Sequence, residues 1–303
     1  MIRKHTRRAC KAAFAIALAI PIVLGGGAFA STQAKPTVVL GTKNFNEQYV
    51  LGQLYKQALQ AKGFTVKYKE NIGSSELIDK SLTSGQINMY PEYTGTIVQN
   101  IAHKKAPKSA QATYLAAKKF EEGRGFTLLK MTPFNDTDGF GLLTSTAKKY
   151  NLKTIADVKK VKDTLKFGGF PECRTRTTCL VGLQKVYGLT NLDFVPLSGI
   201  DIYTALDKGT VDAGDIFTTD PQLVSKKYTV LKDTKHVYPY DNVAPVVSKK
   251  LVKQGGAAFT STVNRVSAKL TTKAMIAMNK AVGLDKKSAA SVASAFLKAN
   301  HLK

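Results

Sequence analysis

Short apolar runs alternate with amphipathic stretches along most of the chain. Runs of four or five mostly apolar residues predict strands, and apolar positions spaced three and four apart predict helices. The predicted elements of the first part are, in order, a strand at 37–40, a helix that begins at Asn46 and is closed by Gly63, a strand at 64–68, a helix that begins at Ser75 and ends before Gly85, and a strand at 87–90 stopped by Pro91. This order predicts a parallel sheet with right-handed crossovers.

The middle of the chain shows the same alternation. Strands are predicted at 165–168, 194–195 and 211–217, and helices at 180–187 and 200–206. Two amphipathic helices are predicted between residues 261 and 297. Because no Gly/Ser-rich linker separates the two regions, we expect two α/β lobes joined by strands that cross between them.

The first thirty residues have the pattern of a signal peptide. Basic residues between Arg3 and Lys11 precede an apolar core at 12–24, and Ala28-Phe29-Ala30 is an A-x-A cleavage signal. The alternative is an uncleaved anchor helix, but the core is too short to span a membrane. Cys10 lies on the wrong side of the core for a lipidation cysteine. These features predict a periplasmic or secreted protein cleaved after residue 30.

The charge of the chain is strongly basic. Its 45 Lys and Arg against 21 Asp and Glu give a formal charge of +24, which falls to +19 without residues 1–30. An excess of this size is often found in nucleic-acid-binding proteins. Here the basic residues recur as isolated pairs such as Lys118-Lys119 and Lys226-Lys227. This spread favours a basic, solvated exterior, and we expect no nucleic-acid partner.

Two cysteines remain after the predicted cleavage, Cys173 and Cys179. An even number in an oxidising compartment predicts one disulfide that closes a short loop. A metal site needs His or further Cys nearby, and none is close in sequence. We expect neither a metal nor an organic cofactor.

The sequence carries no recognisable catalytic motif. The chain has no nucleophile elbow, no phosphate-binding loop, no zinc-protease motif and no dinucleotide glycine motif. The histidines of the mature chain, His103, His236 and His301, are remote from one another in sequence. The pattern favours a binding protein over an enzyme, and no catalytic residue is predicted.

Aromatic residues gather at predicted strand ends and turns. Tyr93 follows the strand at 87–90, Phe217 ends the strand at 211–217, and Tyr240 lies in a turn-rich segment. In open α/β sheets, ligands bind beyond the carboxyl ends of the strands. The rings therefore mark a candidate ligand site, the alternative being that they only pack the interface between the lobes.

The whole mature sequence resembles the binding proteins of quaternary-ammonium importers, the ABC transporters that take up glycine betaine, choline and carnitine. The resemblance is strongest in two motifs, Gly41-Thr42-Lys43-Asn44-Phe45-Asn46-Glu47-Gln48 and Tyr90-Pro91-Glu92-Tyr93-Thr94-Gly95-Thr96. It continues through Tyr203-Thr204-Ala205-Leu206 and Thr218-Thr219-Asp220-Pro221.

The resemblance implies a cage of aromatic rings, which holds a methylated cation by cation–π attraction because such a cation has no N–H donor. At the matching positions of this chain the rings are Tyr93, Phe217 and Tyr240. The family holds the ligand carboxylate with basic and hydroxyl groups, which match Lys43 and Thr96 together with Arg176.

The chain departs from the family pattern at two places. Asp138 stands where a further cage ring is expected, unless a one-residue shift brings in Phe140. A carboxylate pairs with a cation that has N–H donors, so Asp138 leaves the ligand open. The other departure is the cysteine pair around Arg176, which makes Arg174 an alternative for the clamp.

These observations predict an α/β, two-lobed, type II periplasmic-binding fold with the ligand cleft between the lobes. The predicted lobes are residues 36–137 plus 241–303, and residues 138–240, with hinges near Asp138 and Asp241. We expect a monomer that binds a small zwitterionic or cationic ligand, such as glycine betaine or a related osmoprotectant, and delivers it to an ABC permease in the membrane.

Three alternatives remain open from the sequence. One is the same scaffold with a different amine or amino acid as its ligand. Another is an exported enzyme. The last is an effector domain, although the chain has no module that would receive its signal.

Overall fold

The computed structural model describes residues 1–2, 35–197 and 201–303. Residues 35–303 form one compact unit. The predicted signal peptide lies outside the described residues. Among the helices that are described, none is both long enough and apolar enough to cross a membrane.

The first sheet has five strands in the order β2-β1-β3-β10-β4. Its strands are β1 (Val38–Gly41), β2 (Val66–Lys69), β3 (Met89–Tyr93), β4 (Phe126–Leu128) and β10 (Val243–Ser248). Strands β1, β2 and β3 are parallel, as predicted, and are linked by helices α1 (Asn46–Ala61) and α2 (Ser75–Thr83). Strand β10 is antiparallel to both β3 and β4, so the sheet is mixed and not wholly parallel.

The prediction that Pro91 stops its strand is wrong, because β3 continues to Tyr93. Pro91 lies opposite Pro245 of the antiparallel neighbour β10. Two residues that both lack an N–H cannot exchange hydrogen bonds, so the prolines occupy a pair of positions that the ladder leaves unbonded. The strand therefore places its last residue, Tyr93, at the carboxyl end of the parallel strands.

The second sheet also has five strands, in the order β7-β6-β8-β5-β9. They are β5 (Asp138–Leu143), β6 (Leu165–Gly169), β7 (Leu192–Pro196), β8 (Ala213–Phe217) and β9 (Tyr228–Val230). Strands β7, β6 and β8 are parallel, with helices α6 (Leu180–Tyr187) and α7 (Asp201–Asp207) between them. Strands β5 and β9 were not predicted, and β5 is antiparallel to both of its neighbours.

Further helices and helical turns lie between the strands of both sheets. A three-residue helical turn, α3 (Thr94–Thr96), runs directly into a π-helix (Ile97–Ile101), and α4 (Ala110–Glu122) follows. Helix α5 (Thr144–Lys149) follows β5. Single 3₁₀ turns lie at Ile155–Lys160, Pro171–Arg174 and Pro221–Val224.

The C-terminal region contains three helices where the sequence predicted two. They are α8 (Lys249–Lys269), α9 (Thr272–Gly283) and α10 (Ala289–Ala299). Helix α8 is interrupted at Gly256, whose positive φ of 59° is a left-handed conformation that glycine adopts without strain. Because this break interrupts the helical period, the sequence pattern does not predict the first half of α8.

The two sheets with their helices are the two lobes of the fold, and each has its own core. Helix α1 lies in the first core with Leu51, Leu54 and Tyr55. The second core includes Phe140, Phe167 and Leu183. The chain passes from the first sheet to the second between β4 and β5, and returns between β9 and β10. Two residues of these crossing segments, Asn135 and Asn242, form an isolated antiparallel bridge.

Candidate functional site

A cavity of about 50 Å³ lies between the carboxyl ends of the parallel strands of the two sheets. Six of the seven ligand-site residues predicted from the sequence line it. They are Lys43, Tyr93, Thr96, Asp138, Arg176 and Phe217. The strand ends explain this convergence, since Tyr93 ends β3 and Phe217 ends β8.

Three phenylalanine rings form a triangle at one side of this cavity. Phe45 and Phe217 have parallel rings, with 6.2 Å between centroids and an interplanar angle of 3°. Phe170 is tilted against both, at 6.3 Å from Phe45 and 5.9 Å from Phe217. A cation placed over the middle of the triangle would lie within the roughly 6 Å of every centroid that cation–π attraction requires.

Two aromatic residues that the sequence offers as cage rings, Tyr240 and Phe140, do not line this cavity. Tyr240 is 40% exposed and lines two different cavities, on the side of His236 and Pro239. Phe140 is 1% exposed and stacks on Phe167 in the core, so it does not take the place of a cage ring. Of the two residues that the sequence offers at the position of the further ring, Asp138 lines the cavity and Phe140 does not.

Lys43 is buried and already neutralised. Its ammonium contacts Glu92 Oε1 at 2.5 Å, donates to Ser75 Oγ at 3.0 Å, and lies 4.3 Å from the centroid of the Tyr93 ring. The pairing with Glu92, a fully buried carboxylate, cancels most of the positive charge that Lys43 offers to an anion. The Tyr93 ring is thus partly occupied by a cation of the protein itself.

Arg176 extends from the loop that the Cys173–Cys179 disulfide closes, as predicted, with 5.2 Å between the two Cα atoms. Its Nε and Nη2 donate to Glu76 of helix α2, which belongs to the other lobe. No described residue accepts from Nη1, so one arm of the guanidinium stays available at the cavity. Arg174 is exposed and lies over the Phe194 ring at 5.0 Å, away from the cavity.

Thr96 is held by its backbone and keeps its hydroxyl free. Its N–H donates to Asp241 Oδ1 at 2.8 Å, and no described residue bonds to its Oγ1. The neighbouring Gly95 is required here, because a Cβ at that position would lie 2.8 Å from Asp241 Oδ1 and 2.5 Å from Pro239. The crossing segment can therefore approach the first sheet closely enough to position Thr96.

Asp138 lies opposite Phe217 in the antiparallel pairing of β5 with β8, and Phe140 lies opposite Asp215. This register makes Asp138 and Asp215 diagonal neighbours on one face of the sheet. Burial raises the pKa of Asp215 well above its usual range, and the neighbouring charge of Asp138 raises it further. Burial raises the pKa of Asp138 to about 6, opposed by the charges of Arg176 and Lys43.

Glu47 organises the side of the cavity next to helix α1. It accepts hydrogen bonds from the Tyr93 hydroxyl at 2.8 Å, the Thr219 hydroxyl at 2.6 Å and Asn279 Nδ2 at 2.8 Å. Thr219 follows β8 of the second sheet, whereas the other three residues belong to the first lobe. Glu47 therefore orients the Tyr93 ring and also joins the two lobes.

Sequence reasoning missed Phe45 and Phe170. Phe45 lies inside the Gly41–Gln48 motif, directly before helix α1, and Phe170 directly follows β6. A signal for both was present, since each is a single aromatic residue just beyond the carboxyl end of a strand. The pairing of Lys43 with Glu92 joins residues 49 positions apart and left no such signal.

Comparisons with known proteins show the family of the chain. The family described as the substrate binding domain of ABC-type glycine betaine transport systems matches residues 36–299. A glycine-betaine-binding protein of Pseudomonas aeruginosa is 31% identical over 288 residues, covering 91% of this chain and 92% of that protein.

Two further comparisons extend the match. An ergothioneine transport permease and binding protein of Helicobacter pylori is 29% identical over 270 residues, which are 88% of this chain and 48% of that longer protein. A crystal structure of a glycine betaine/carnitine/choline ABC transporter protein superposes with a TM-score of 0.70 at 24% identity, covering 88% of this chain and 99% of the other.

Two α/β lobes with a ring-lined cavity between their strand ends define a solute-binding protein of the two-lobed class. The chain belongs to the family of substrate-binding domains of ABC-type glycine betaine transport systems. The fold class, the resemblance and the function class predicted from the sequence are thereby confirmed.

Proposed function

We propose that the protein binds the betaine head group, a trimethylammonium and a carboxylate carried on one carbon atom, and presents it to an ABC permease outside the cytoplasm. The observation that carries this proposal is the phenylalanine triangle beside three unused hydrogen-bond donors in one cavity. The relatives support it, because glycine betaine and ergothioneine, the ligands in their names, share this head group.

The aromatic rings bind the cationic end of the ligand. A trimethylammonium has no N–H to donate, so it is bound by the negative faces of aromatic rings and by dispersion. Among the described residues, no cation of the protein lies over Phe170 or Phe217, whereas Lys43 lies 4.3 Å from the centroid of Tyr93 and, farther away, 5.5 Å from that of Phe45. We therefore assign the cage chiefly to the phenylalanines.

The unpaired donors of the cavity bind the carboxylate end of the ligand. These are Nη1 of Arg176, the hydroxyl of Thr96 and the remaining N–H of the Lys43 ammonium, all at the same cavity. An Arg N–H to a carboxylate is a charge-assisted bond, about twice as strong as a neutral one. Because Glu76 holds the other edge of the guanidinium, Arg176 reaches the ligand already oriented.

The charge of the site selects against plain anions. Lys43 and Arg176 are both paired with glutamates, and Asp136, Asp138 and Asp241 add further carboxyl groups to the lining. A ligand with a net negative charge would meet no uncompensated positive charge here. A zwitterion or a cation satisfies the cavity better.

A second candidate ligand is an amine that keeps an N–H donor. The observation that favours it is Asp138, which lines the cavity where the family places a ring. A dimethylammonium or a primary ammonium would donate to this carboxylate, and a trimethylammonium would not.

Ligand binding is coupled to closure of the two lobes. We propose lobes of residues 36–137 plus 241–303 and of residues 138–240, which close on the ligand by motion at the crossings near Asp138 and Asp241. The bond from Arg176 to Glu76 and the bond from Thr219 to Glu47 join the lobes in this arrangement. The protein acts as an exported monomer, freed of residues 1–30, and binds its ligand without chemical turnover.

The ring assignment is tested by comparing two aromatic substitutions. Phe217→Ala removes one ring of the triangle and is expected to weaken glycine betaine binding by about two-fold to about 30-fold, because a cation–π contact contributes about 0.5 to 2 kcal/mol. Tyr240→Ala is the matched control, since Tyr240 does not line the cavity. Isothermal titration calorimetry measures both affinities.

The outcome is decisive in either direction. Unchanged affinity in a folded Phe217→Ala protein removes the phenylalanine triangle from the proposal. A large loss in Tyr240→Ala with little loss in Phe217→Ala would restore the cage inferred from the sequence resemblance, with Tyr240 as a wall.

A further inference from the structure

A second compartment, of about 70 Å³, adjoins the betaine cavity. The two share Phe45, Phe170, Phe217 and Asp136 as lining residues, so the phenylalanine triangle is the partition between them. Beyond the partition the compartment continues between helices α1, α7 and α9 and the segment that follows β8. Its volume is that of about two water molecules at roughly 30 Å³ each, which is enough for a small functional group.

The charges of the two compartments differ. The first contains the cationic groups of Lys43 and Arg176. None of the described residues that line the second is basic, and three of them, Glu47, Asp136 and Asp220, carry carboxyl groups. The second compartment is therefore suited to a cationic group and unsuited to an anionic one.

Unpaired hydrogen-bond acceptors in the second compartment also favour a cationic group that has N–H donors. Asn279 is 7% exposed and lines the compartment, and its Oδ1 has no partner among the described residues. Its Nδ2 donates to Glu47 and to Thr219, and these bonds prevent a flip of the amide that would exchange Oδ1 and Nδ2. Gln222 Oε1, also in this lining, is buried without a partner.

Asp220 supplies the charge next to these acceptors. Its Oδ2 accepts from the Tyr203 hydroxyl at 2.8 Å and from the Phe217 N–H at 2.9 Å, and no described residue donates to Oδ1. Burial raises the pKa of Asp220 to about 6, so the group is mostly ionised at pH 7.5. The compartment thus offers one carboxylate oxygen and two amide oxygens that lack donors.

We infer that the second compartment is a subsite for an N–H-bearing cationic group on the side chain of the ligand. The inference rests on the proposed betaine function and extends it, since the ligand class becomes a betaine of a basic amino acid. The head group occupies the first compartment, and the side-chain ammonium or guanidinium passes the ring partition to reach Asp220, Asn279 and Gln222.

The test compares betaines that differ only at the end of the side chain. Trimethylated 2,4-diaminobutyrate, ornithine and lysine, each methylated at the α-nitrogen, are titrated beside counterparts in which a methyl group replaces the terminal ammonium. At least one ammonium member is expected to bind about ten-fold or more tightly than its methyl counterpart, because a charge-assisted hydrogen bond forms only with the ammonium. The three side-chain lengths place the terminal ammonium at three different distances from the head group.

Two variants identify the residue responsible. Asp220→Asn keeps an oxygen that can accept from Tyr203 and from the Phe217 N–H, and it is expected to bring the ammonium-to-methyl ratio close to one. Asp212→Asn is the control, since Asp212 likewise accepts a backbone N–H, from Lys166 at 2.9 Å, but is exposed and outside the compartment. Thermal unfolding of both variants confirms that they are folded.

The outcomes separate this inference from the proposed function. If wild-type protein binds glycine betaine but no ammonium betaine exceeds its methyl counterpart, the subsite is refuted and the head-group site stands. If neither glycine betaine nor any member of the series binds, both are refuted. A preference that survives Asp220→Asn unchanged also overturns the assignment of the subsite to this carboxylate.

Discussion

Replacing Arg176 by Gln is expected to weaken glycine betaine binding by about 30-fold or more, the largest effect of any single substitution in the cavity. Truncating one partner of a buried, hydrogen-bonded charge pair typically costs at least about 2 kcal/mol of binding free energy. The substitution removes the N–H that the ligand carboxylate accepts, and it also leaves Glu76 without the guanidinium that joins it to the other lobe. Calorimetric titration at pH 7.5 measures the loss.

Arg174→Gln is the matched control for this prediction. It removes the same charge two residues earlier in the disulfide-closed loop, from a side chain that lies over Phe194 and not at the cavity. Affinity within two-fold of wild type is expected. Equal losses in the two variants would show that the loop acts through its overall charge, and a loss only in Arg174→Gln would transfer the clamp to Arg174.

Asp138→Asn is expected to change which ligand is preferred. Dimethylglycine differs from glycine betaine by one methyl group and keeps one N–H on its ammonium. Because a charge-assisted bond to Asp138 contributes roughly 1.5 to 3 kcal/mol, the substitution should lower the affinity for dimethylglycine about ten-fold or more relative to that for glycine betaine. Titration of both ligands into both proteins gives the ratio.

The pH dependence of the same ratio has a defined sign. Burial raises the pKa of Asp138 to about 6, so the group is largely neutral at pH 5 and largely ionised at pH 7.5. A cation with an N–H binds the ionised form, and its affinity relative to glycine betaine should therefore rise with pH through about 6. Asp138→Asn should abolish this rise. A ratio that is independent of pH in wild type would place Asp138 outside the interaction.

The alternating pattern predicted most elements that pack as regular layers. Helices α1, α2 and α6 were expected close to where they lie, because their apolar positions face one core at the helical period. Strands β4, β5, β9 and β10 were missed. Strand β5 reads Asp-Gly-Phe-Gly-Leu-Leu, and its two glycines and its charged first residue conceal a strand that pairing with β8 and β9 stabilises.

The residues of the site were predicted better than their partners. Lys43, Arg176 and Asp138 were recognised from motif positions, and all three line the cavity. Nothing in the sequence indicated that Glu92 and Glu76 neutralise the first two, because these pairs are formed by contacts between distant segments. The net charge of the cavity, which decides the kind of ligand, is therefore a property that only the folded chain shows.

One pair of ligands on the wild-type protein shows whether the rings bind a cation while the donors bind a carboxylate. 3,3-Dimethylbutanoate has the shape and the carboxylate of glycine betaine, with carbon in place of the ammonium nitrogen. Glycine betaine is expected to bind at least about ten-fold more tightly, because only its cation gains from the phenylalanine rings and from the surrounding carboxyl groups. Equal affinities, or tighter binding of 3,3-dimethylbutanoate, would show that the rings do not bind a cation.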